Sequence, residues 1–110
     1  MLTLTVNGSW SQFTEPLRTL TDFRTHGSLR GQNGPPASYG LLPAMYHHFA
    51  ARADYVVYSY DTPIAWHSSI TEQGGSDWKM PPVKYSVTTT RHQGRIAFAL
   101  ADAEGLLIHA

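Results

Sequence analysis

Three consecutive threonines and two arginines form the segment of this 110-residue sequence that carries most chemical information. Thr88, Thr89 and Thr90 supply hydroxyl donors at the predicted junction between a strand and the last helix. Free backbone N–H groups and the positive end of the helix dipole favour an anion there. Arg91 opposes that dipole unless an anion is bound, and Arg95 repeats the charge four residues later on the same face. The segment predicts a site for a phosphate or a carboxylate.

The same segment also fits a helix that binds no ligand. Thr90 followed by Gln93 matches a capping box, in which two side chains satisfy free N–H groups at the start of a helix. The arginines would then reach solvent or pair with Asp102. Gly94 is unfavourable inside a helix, and it would allow a ligand or another backbone segment to approach closely. The sequence leaves both interpretations open.

His92 is the histidine with a predictable environment. It lies on the same helical face as Ile96, so we expect its ring to point inward. Such a ring is a general base or a ligand in some proteins, but more often a hydrogen-bonded structural group. His47 and His48 are adjacent and diverge on a helix, and no H-E-x-x-H motif is present. We therefore predict neither a metal site nor a cofactor.

Aromatic residues are concentrated in the central part of the chain. They are Tyr55, Tyr58, Tyr60, Trp66, Trp78 and Tyr85. Together with Arg91, the rings of Tyr60 and Trp66 are candidates for a nucleotide pocket, because aromatic faces stack on bases. The alternatives are a core and a sheet surface filled by good strand formers, or an exposed interface with a partner or a second subunit.

Nucleophilic catalysis has little support in the sequence. No G-x-S-x-G motif is present, and the phosphate-loop and dinucleotide-binding glycine patterns are both absent. A triad can be assembled on paper from Ser59, Ser86, His67, His92 and Asp61, as it can in any chain of this size.

The N-terminal elements are predicted from alternation and turn signals. Leu2–Val6 alternates apolar residues with threonine, Asn7-Gly8 is a typical hairpin turn, and Ser9–Phe13 is the expected return strand. A short helix then begins with Thr14 as its cap. The glycine- and proline-rich segment Gly27–Gly40 is predicted to be a long loop, with a tight turn carrying an arginine at its start.

The second half of the chain alternates strand and helix signals. We predict a helix over 43–52, strands over 55–60, 64–67 and 78–80, a polar loop over 68–77, a strand over 83–87 and a helix from Thr90. The apolar stripe of this helix is Ile96, Ala99, Leu100, Ala103 and Leu107, and Gly105 is its expected end. These elements indicate an α+β fold: one small domain over residues 1–110, with a largely antiparallel sheet, an N-terminal hairpin and two packed helices.

Composition excludes several classes of protein. Eight basic residues balance eight acidic ones, so no global field attracts nucleic acid or an anionic membrane. The absence of cysteine excludes disulfides and thiolate metal sites. No apolar segment approaches the roughly 20 residues that cross a bilayer, and the first ten residues have no charged leader. We expect a cytoplasmic protein.

Three blocks of the sequence resemble a known family. They are FRTHGSLRG (Phe23–Gly31), ADYVVYSYDTPIAWH (Ala53–His67) and DWKMPPVKYSVTTTRHQ (Asp77–Gln93). They look like a small domain of unknown function that occurs in actinobacteria and especially in their bacteriophages. The resemblance implies a phage or actinobacterial origin, with the host cytoplasm as location, and it supplies no activity and no catalytic residue.

Two functions follow as hypotheses. The first is a non-catalytic binding module, a phage accessory protein that binds a host protein or a small ligand carrying a phosphate or nucleotide. The ligand would contact Thr88, Thr89, Thr90 and Arg91 as well as Tyr60 and Trp66. The second is a small metal-independent hydrolase or nuclease that uses His92 and Arg91. A cleft at His92 with a second acid or base in hydrogen-bond reach would favour the enzyme. The sequence leaves a homo-oligomer open.

Overall fold

A six-stranded sheet is the centre of the fold. The computed structural model describes residues 2–5, 9–69 and 77–104. Within them the strands are β1 (Leu2–Leu4), β2 (Phe23–Thr25), β3 (Leu29–Asn33), β4 (Tyr55–Ser59), β5 (Thr62–Ser68) and β6 (Asp77–Lys79). They lie side by side in chain order, and each described neighbour pairs antiparallel except β1, which runs parallel to β2.

Three α-helices and two short 3₁₀ turns accompany the sheet in the described residues. The helices are α1 (Thr14–Arg18), α2 (His47–Ala50) and α3 (Val87–Ala103), and 3₁₀ turns at Trp10–Phe13 and Ala44–Tyr46 lead into the first two. The fold is therefore α+β with a mostly antiparallel sheet, as predicted. None of the described helices is long and apolar enough to cross a membrane.

The central strands are buried because both faces of the sheet are covered. All five residues of β4 are buried, and its side chains alternate between two apolar clusters. Tyr55 and Val57 face the cluster beneath α1 and α3, whereas Val56 and Tyr58 face the cluster beneath α2. This double burial explains the run of β-branched and aromatic residues that predicted β4.

Helix α3 packs through the predicted apolar stripe. Ile96, Ala99 and Leu100 are buried against the sheet and α1, and Ala103 is partly buried. Full burial of a side chain such as isoleucine contributes about 1.5–3 kcal/mol, so this stripe anchors the helix. Leu107 and Gly105, which were predicted to extend and to end the helix, lie outside the described residues.

The prediction of a strand over residues 83–87 is wrong. Residues 80–86 are neither helix nor strand, and Val87 is already the first residue of α3. Pro81 and Pro82 lack backbone N–H donors, so the chain cannot continue the ladder beyond β6. The alternation of Val83 and Tyr85 reflects two partly buried side chains on an irregular segment.

The start of α3 also differs from the predicted capping box. Ser86 is the cap, and its Oγ accepts the backbone N–H of Thr89 at 3.2 Å. Thr90 donates its hydroxyl to the carbonyl of Ser86, and Gln93 donates its side-chain amide to the carbonyl of Val83. The helix therefore begins one turn earlier than predicted, because serine satisfies its first free N–H groups.

The N-terminal hairpin is present but uses other strands than predicted. It is formed by β2 and β3, and the expected return strand Ser9–Phe13 is instead a 3₁₀ turn capped by Ser9. Helical geometry prevails there because it buries Phe13 together with Leu17 beneath α3. Thr14 is the first residue of α1 rather than its N-cap, and its hydroxyl donates to Asp102 at 2.9 Å. The predicted turn at Asn7-Gly8 lies outside the described residues.

The loop predicted over Gly27–Gly40 contains strand β3. Leu29 is buried, and a Cβ at Gly31 would lie 2.5 Å from Cε1 of Phe23, so glycine is required for close packing. Five consecutive residues of β3 pair with β4. Pairing with a buried neighbour outweighs the low strand propensity of this segment.

The remaining predicted elements agree with the structure. Strands β4, β5 and β6 occupy the predicted segments, and α2 with its preceding 3₁₀ turn lies within the predicted helix over 43–52. The polar loop predicted over 68–77 lies mostly outside the described residues.

Candidate functional site

A cavity of about 310 Å³ opens beside the first two turns of α3. We call it the basic cavity. Its lining residues come from α3, from the turn between β2 and β3, and from the turn between β4 and β5: Gly27, Ser28, Tyr60, Thr88, Arg91, His92 and Arg95. Its volume lies at the lower end of the range of small-molecule sites.

Helical spacing places four of these side chains together. Thr88, Arg91 and Arg95 follow at intervals of three and four residues, so they share one face of α3. His92, four residues after Thr88, lies at the inner edge of this face and also lines the cavity. None of the described residues that line the cavity is acidic. Arg91 makes no ion pair with a carboxylate in the described part of the chain. The cavity is therefore a cationic surface near the positive end of the helix dipole.

His92 belongs to a buried hydroxyl network behind this cavity. Its Nδ1 lies 2.7 Å from Oγ of Ser59, which lies 3.0 Å from Oγ1 of Thr89. The three residues are 4%, 1% and 4% exposed. Burial, and secondarily the charge of Arg95, lowers the pKa of His92. The ring is thus mainly neutral at pH 7, as expected for a hydrogen-bonded structural histidine.

Tyr60 occupies an unusual backbone conformation at the turn between β4 and β5. Its φ angle is 57°, in the left-handed region that costs a residue with a side chain about 1–3 kcal/mol. Two hydrogen bonds hold it there: its N–H donates to the carbonyl of Ser28 at 2.9 Å, and Arg30 donates to its carbonyl at 2.6 Å. The Tyr60 side chain is 54% exposed.

A second cavity, of about 410 Å³, also has Tyr60 among its lining residues. We call it the hydroxyl cavity. Its lining residues are Gly40, Leu41, Ser59, Tyr60, Asp61, Thr62, Tyr85, Ser86 and Thr89. Tyr60 lines both cavities, and consecutive residues of α3, Thr88 and Thr89, line one cavity each.

The structure brings together some of the predicted site residues and separates others. Tyr60, Thr88 and Arg91 line the basic cavity, and Thr89 lines the hydroxyl cavity. Thr90 lies on another face of α3, where it lines a groove beside Pro81 and Pro82. Trp66 is buried in the cluster beneath α2. Neither Thr90 nor Trp66 contributes to either cavity.

Sequence reasoning did not include Gly27, Ser28 and Ser59 among the ligand-binding residues. Gly27 and Ser28 reach the cavity because the β2–β3 turn brings them beside α3, and the only local signal was a glycine-bounded loop. Ser59 ends a strand of apolar and aromatic residues, where a serine is an isolated polar group. Gly94, expected to allow a close approach, is exposed with nothing within 4 Å of a Cβ placed there.

The triad considered from the sequence is only partly assembled. Ser59 and His92 form a hydrogen bond, but His67 pairs with Asp54, with 2.8 Å between Nδ1 and Oδ1. Asp61 lies 3.9 Å from the guanidinium of Arg30. Within the described residues His92 has no hydrogen bond to a carboxylate. The cleft at His92 thus offers a hydroxyl where the enzyme hypothesis needs an acid or a base.

The described part of the chain contains no cluster of metal ligands. Among residues 2–5, 9–69 and 77–104, no three His, Asp or Glu side chains are placed to hold one ion. The candidate site is therefore defined by arginines, hydroxyl groups and a tyrosine ring.

The fold and these cavities define a small α+β domain with a cationic cavity at the start of its long helix. Residues 12–105 match the model of a family described as "Family of unknown function (DUF8033)", and the chain belongs to that family. Neither a curated protein nor a solved structure matches the chain.

Proposed function

We propose that this domain is a non-catalytic binding module and that the basic cavity holds a small ligand carrying a phosphate group. The observation that supports the proposal most directly is Arg91, which makes no ion pair with a carboxylate among the described residues and lies in a cavity that no described acidic residue lines. Guanidinium groups form charge-assisted, often bidentate hydrogen bonds with phosphate oxygens.

Thr88 and Ser28 add neutral donors to this charge. Thr88 is the second residue of α3, so its hydroxyl lies where the N-terminal N–H groups and the helix dipole also favour an anion. Ser28 belongs to the turn that faces α3 across the cavity. Charge and donors on both walls suit a tetrahedral anion better than a neutral ligand.

The hydrolase hypothesis has one supporting observation, the hydrogen bond between Ser59 and His92. A serine nucleophile needs a base that is itself oriented by a third group, and an accessible hydroxyl. Ser59 is 1% exposed, and the described residues provide no carboxylate bonded to His92. Binding without catalysis therefore agrees better with this geometry.

Three further hypotheses remain predictions. A host protein is the other partner considered from the sequence. The phage accessory role and the actinobacterial origin come from the resemblance, and the family description names neither a source nor an activity.

Titration calorimetry with inorganic phosphate tests the proposal. We expect Arg91→Ala to weaken binding at least tenfold, because a hydrogen bond to a charged group contributes about 1.5–3 kcal/mol. The melting temperature should stay unchanged, since Arg91 is exposed.

Arg18→Ala is the matched control, because Arg18 is an exposed arginine of α1 whose partner is Glu15. It removes the same net charge away from the cavity. Equal losses in the two variants would show nonspecific attraction. No heat from the wild-type protein with inorganic phosphate or with any nucleotide would contradict the proposal.

A further inference from the structure

The two cavities share Tyr60 as a common wall, although they differ in chemistry. The basic cavity is lined by both arginines, whereas the hydroxyl cavity is lined by Asp61 and by no basic residue among those described. A ligand that enters both would therefore place its phosphate on the arginines and an uncharged group beyond Tyr60.

The hydroxyl cavity offers few free polar groups despite its many hydroxyls. Ser59, Ser86 and Thr89 are already hydrogen-bonded to one another, and Thr62 accepts the N–H of Leu41 at 2.9 Å. A sugar, which needs a partner for each of several hydroxyls, would find few here. A flat group with a largely apolar surface therefore suits the hydroxyl cavity better than a sugar does.

Tyr85, another residue of this cavity, has a buried hydroxyl group. Its oxygen is the buried side-chain polar atom without a hydrogen-bond partner among the described residues. Leaving such a group unpaired is unfavourable. A tyrosine hydroxyl can both donate and accept, which suits the edge of a nucleobase.

From these observations we infer that the ligand is a nucleoside monophosphate. Its phosphate occupies the basic cavity, its base occupies the hydroxyl cavity, and the exposed ring of Tyr60 packs on the base. Tyr85 forms its missing hydrogen bond with the base edge. This inference rests on the proposed function, since it assigns the phosphate to Arg91 and Arg95.

Three probes separate the two proposals: inorganic phosphate, ribose 5-phosphate, and the four nucleoside monophosphates. We expect at least one nucleoside monophosphate to bind about tenfold more tightly than ribose 5-phosphate. This is the order of the gain in affinity when one base stacks on an aromatic ring. No binding of any probe contradicts the proposed function. Binding of phosphate and ribose 5-phosphate as tight as that of every nucleotide overturns only the present inference.

Two variants test the base compartment. Tyr85→Phe should reduce the preference for the nucleotide over ribose 5-phosphate at least threefold while phosphate still binds. Tyr60→Ala changes a residue that lines both cavities, so only the same preference is read from it, and this preference should also fall at least threefold. Tyr58→Phe is the matched control, because its hydroxyl already accepts the N–H of Ala37 at 3.1 Å. A preference unchanged in both Tyr85→Phe and Tyr60→Ala, or reduced equally in Tyr58→Phe, would overturn the inference.

Discussion

Replacing Ser59 by alanine tests whether the buried hydroxyl network stabilises the fold. The variant removes one oxygen that is hydrogen-bonded to Nδ1 of His92 at 2.7 Å and to Oγ1 of Thr89 at 3.0 Å. The cavity that it creates is small, since only a hydroxyl is lost. The effect therefore reports on the hydrogen bonds themselves.

The expected cost follows from what remains unpaired. Thr89 keeps a second bond, to Oγ of Ser86 at 3.2 Å, whereas Nδ1 of His92 loses the partner that the structure gives it. A buried polar group without a partner costs about 1–3 kcal/mol. We expect Ser59→Ala to lower the free energy of unfolding by about 2 kcal/mol, which corresponds to a melting temperature about 10 °C lower.

Urea and thermal unfolding at pH 7, followed by circular dichroism, measure this change. Ser11→Ala is the control, because Ser11 is exposed and should change the free energy of unfolding by less than about 0.5 kcal/mol. A cycle with Thr89→Val measures the coupling, which we expect to exceed about 0.5 kcal/mol. A stability of Ser59→Ala equal to that of the wild type would refute the reasoning.

The remaining predictions concern two glycines and pH. Gly94→Ala should raise the free energy of unfolding by about 1 kcal/mol in a urea titration, because the site is exposed, helical and open. Gly31→Ala should lower it by about 2 kcal/mol or more in the same assay, because the added Cβ would lie 2.3 Å from Oη of Tyr55. The lowered pKa of His92 means that the unfolded chain binds its proton more readily, so stability should fall as the pH drops below about 6.5. His92→Gln should flatten the stability profile between pH 7 and 5, and an unchanged slope would contradict this assignment.

Local periodicity predicts the type and position of elements whose apolar side chains lie on one face or on both faces. The run Tyr55–Ser59 is buried on both faces, and the stripe of Ile96, Ala99 and Leu100 recurs at helical spacing. These patterns are contained in a few consecutive residues. The structure of these two segments could therefore be predicted without knowing which distant residues they contact.

The errors arose where distant partners decide the structure. Strand β3 forms because β4 provides a complete row of backbone partners, which its own glycine- and serine-rich neighbourhood does not indicate. Val83 and Tyr85 alternate like a strand, but two prolines separate them from the sheet edge. Ser86 caps α3 in competition with Thr90, and sequence alone does not rank the two.

The candidate site likewise combines residues that are close in sequence with residues that only the fold brings together. Arg91 and Arg95 are four residues apart on one helix, so their spacing predicted a shared face, and the position of His92 four residues before Ile96 predicted a ring that points inward. Ser28 and Ser59 come from turns and strands that only the fold brings to α3. Residue type alone makes Trp66 a candidate, and the pleat of β5 directs its side chain into the opposite layer.

Strand β4 contributes side chains to both apolar layers, so unfolding of this one strand should disrupt both layers in the same cooperative transition. The hairpin of β4 and β5, whose turn contains Tyr60, should consequently have the most slowly exchanging amide hydrogens, with protection close to that of global unfolding. Both cavities thus adjoin the most persistent part of the molecule, and a ligand there would meet walls that are already in place before it arrives.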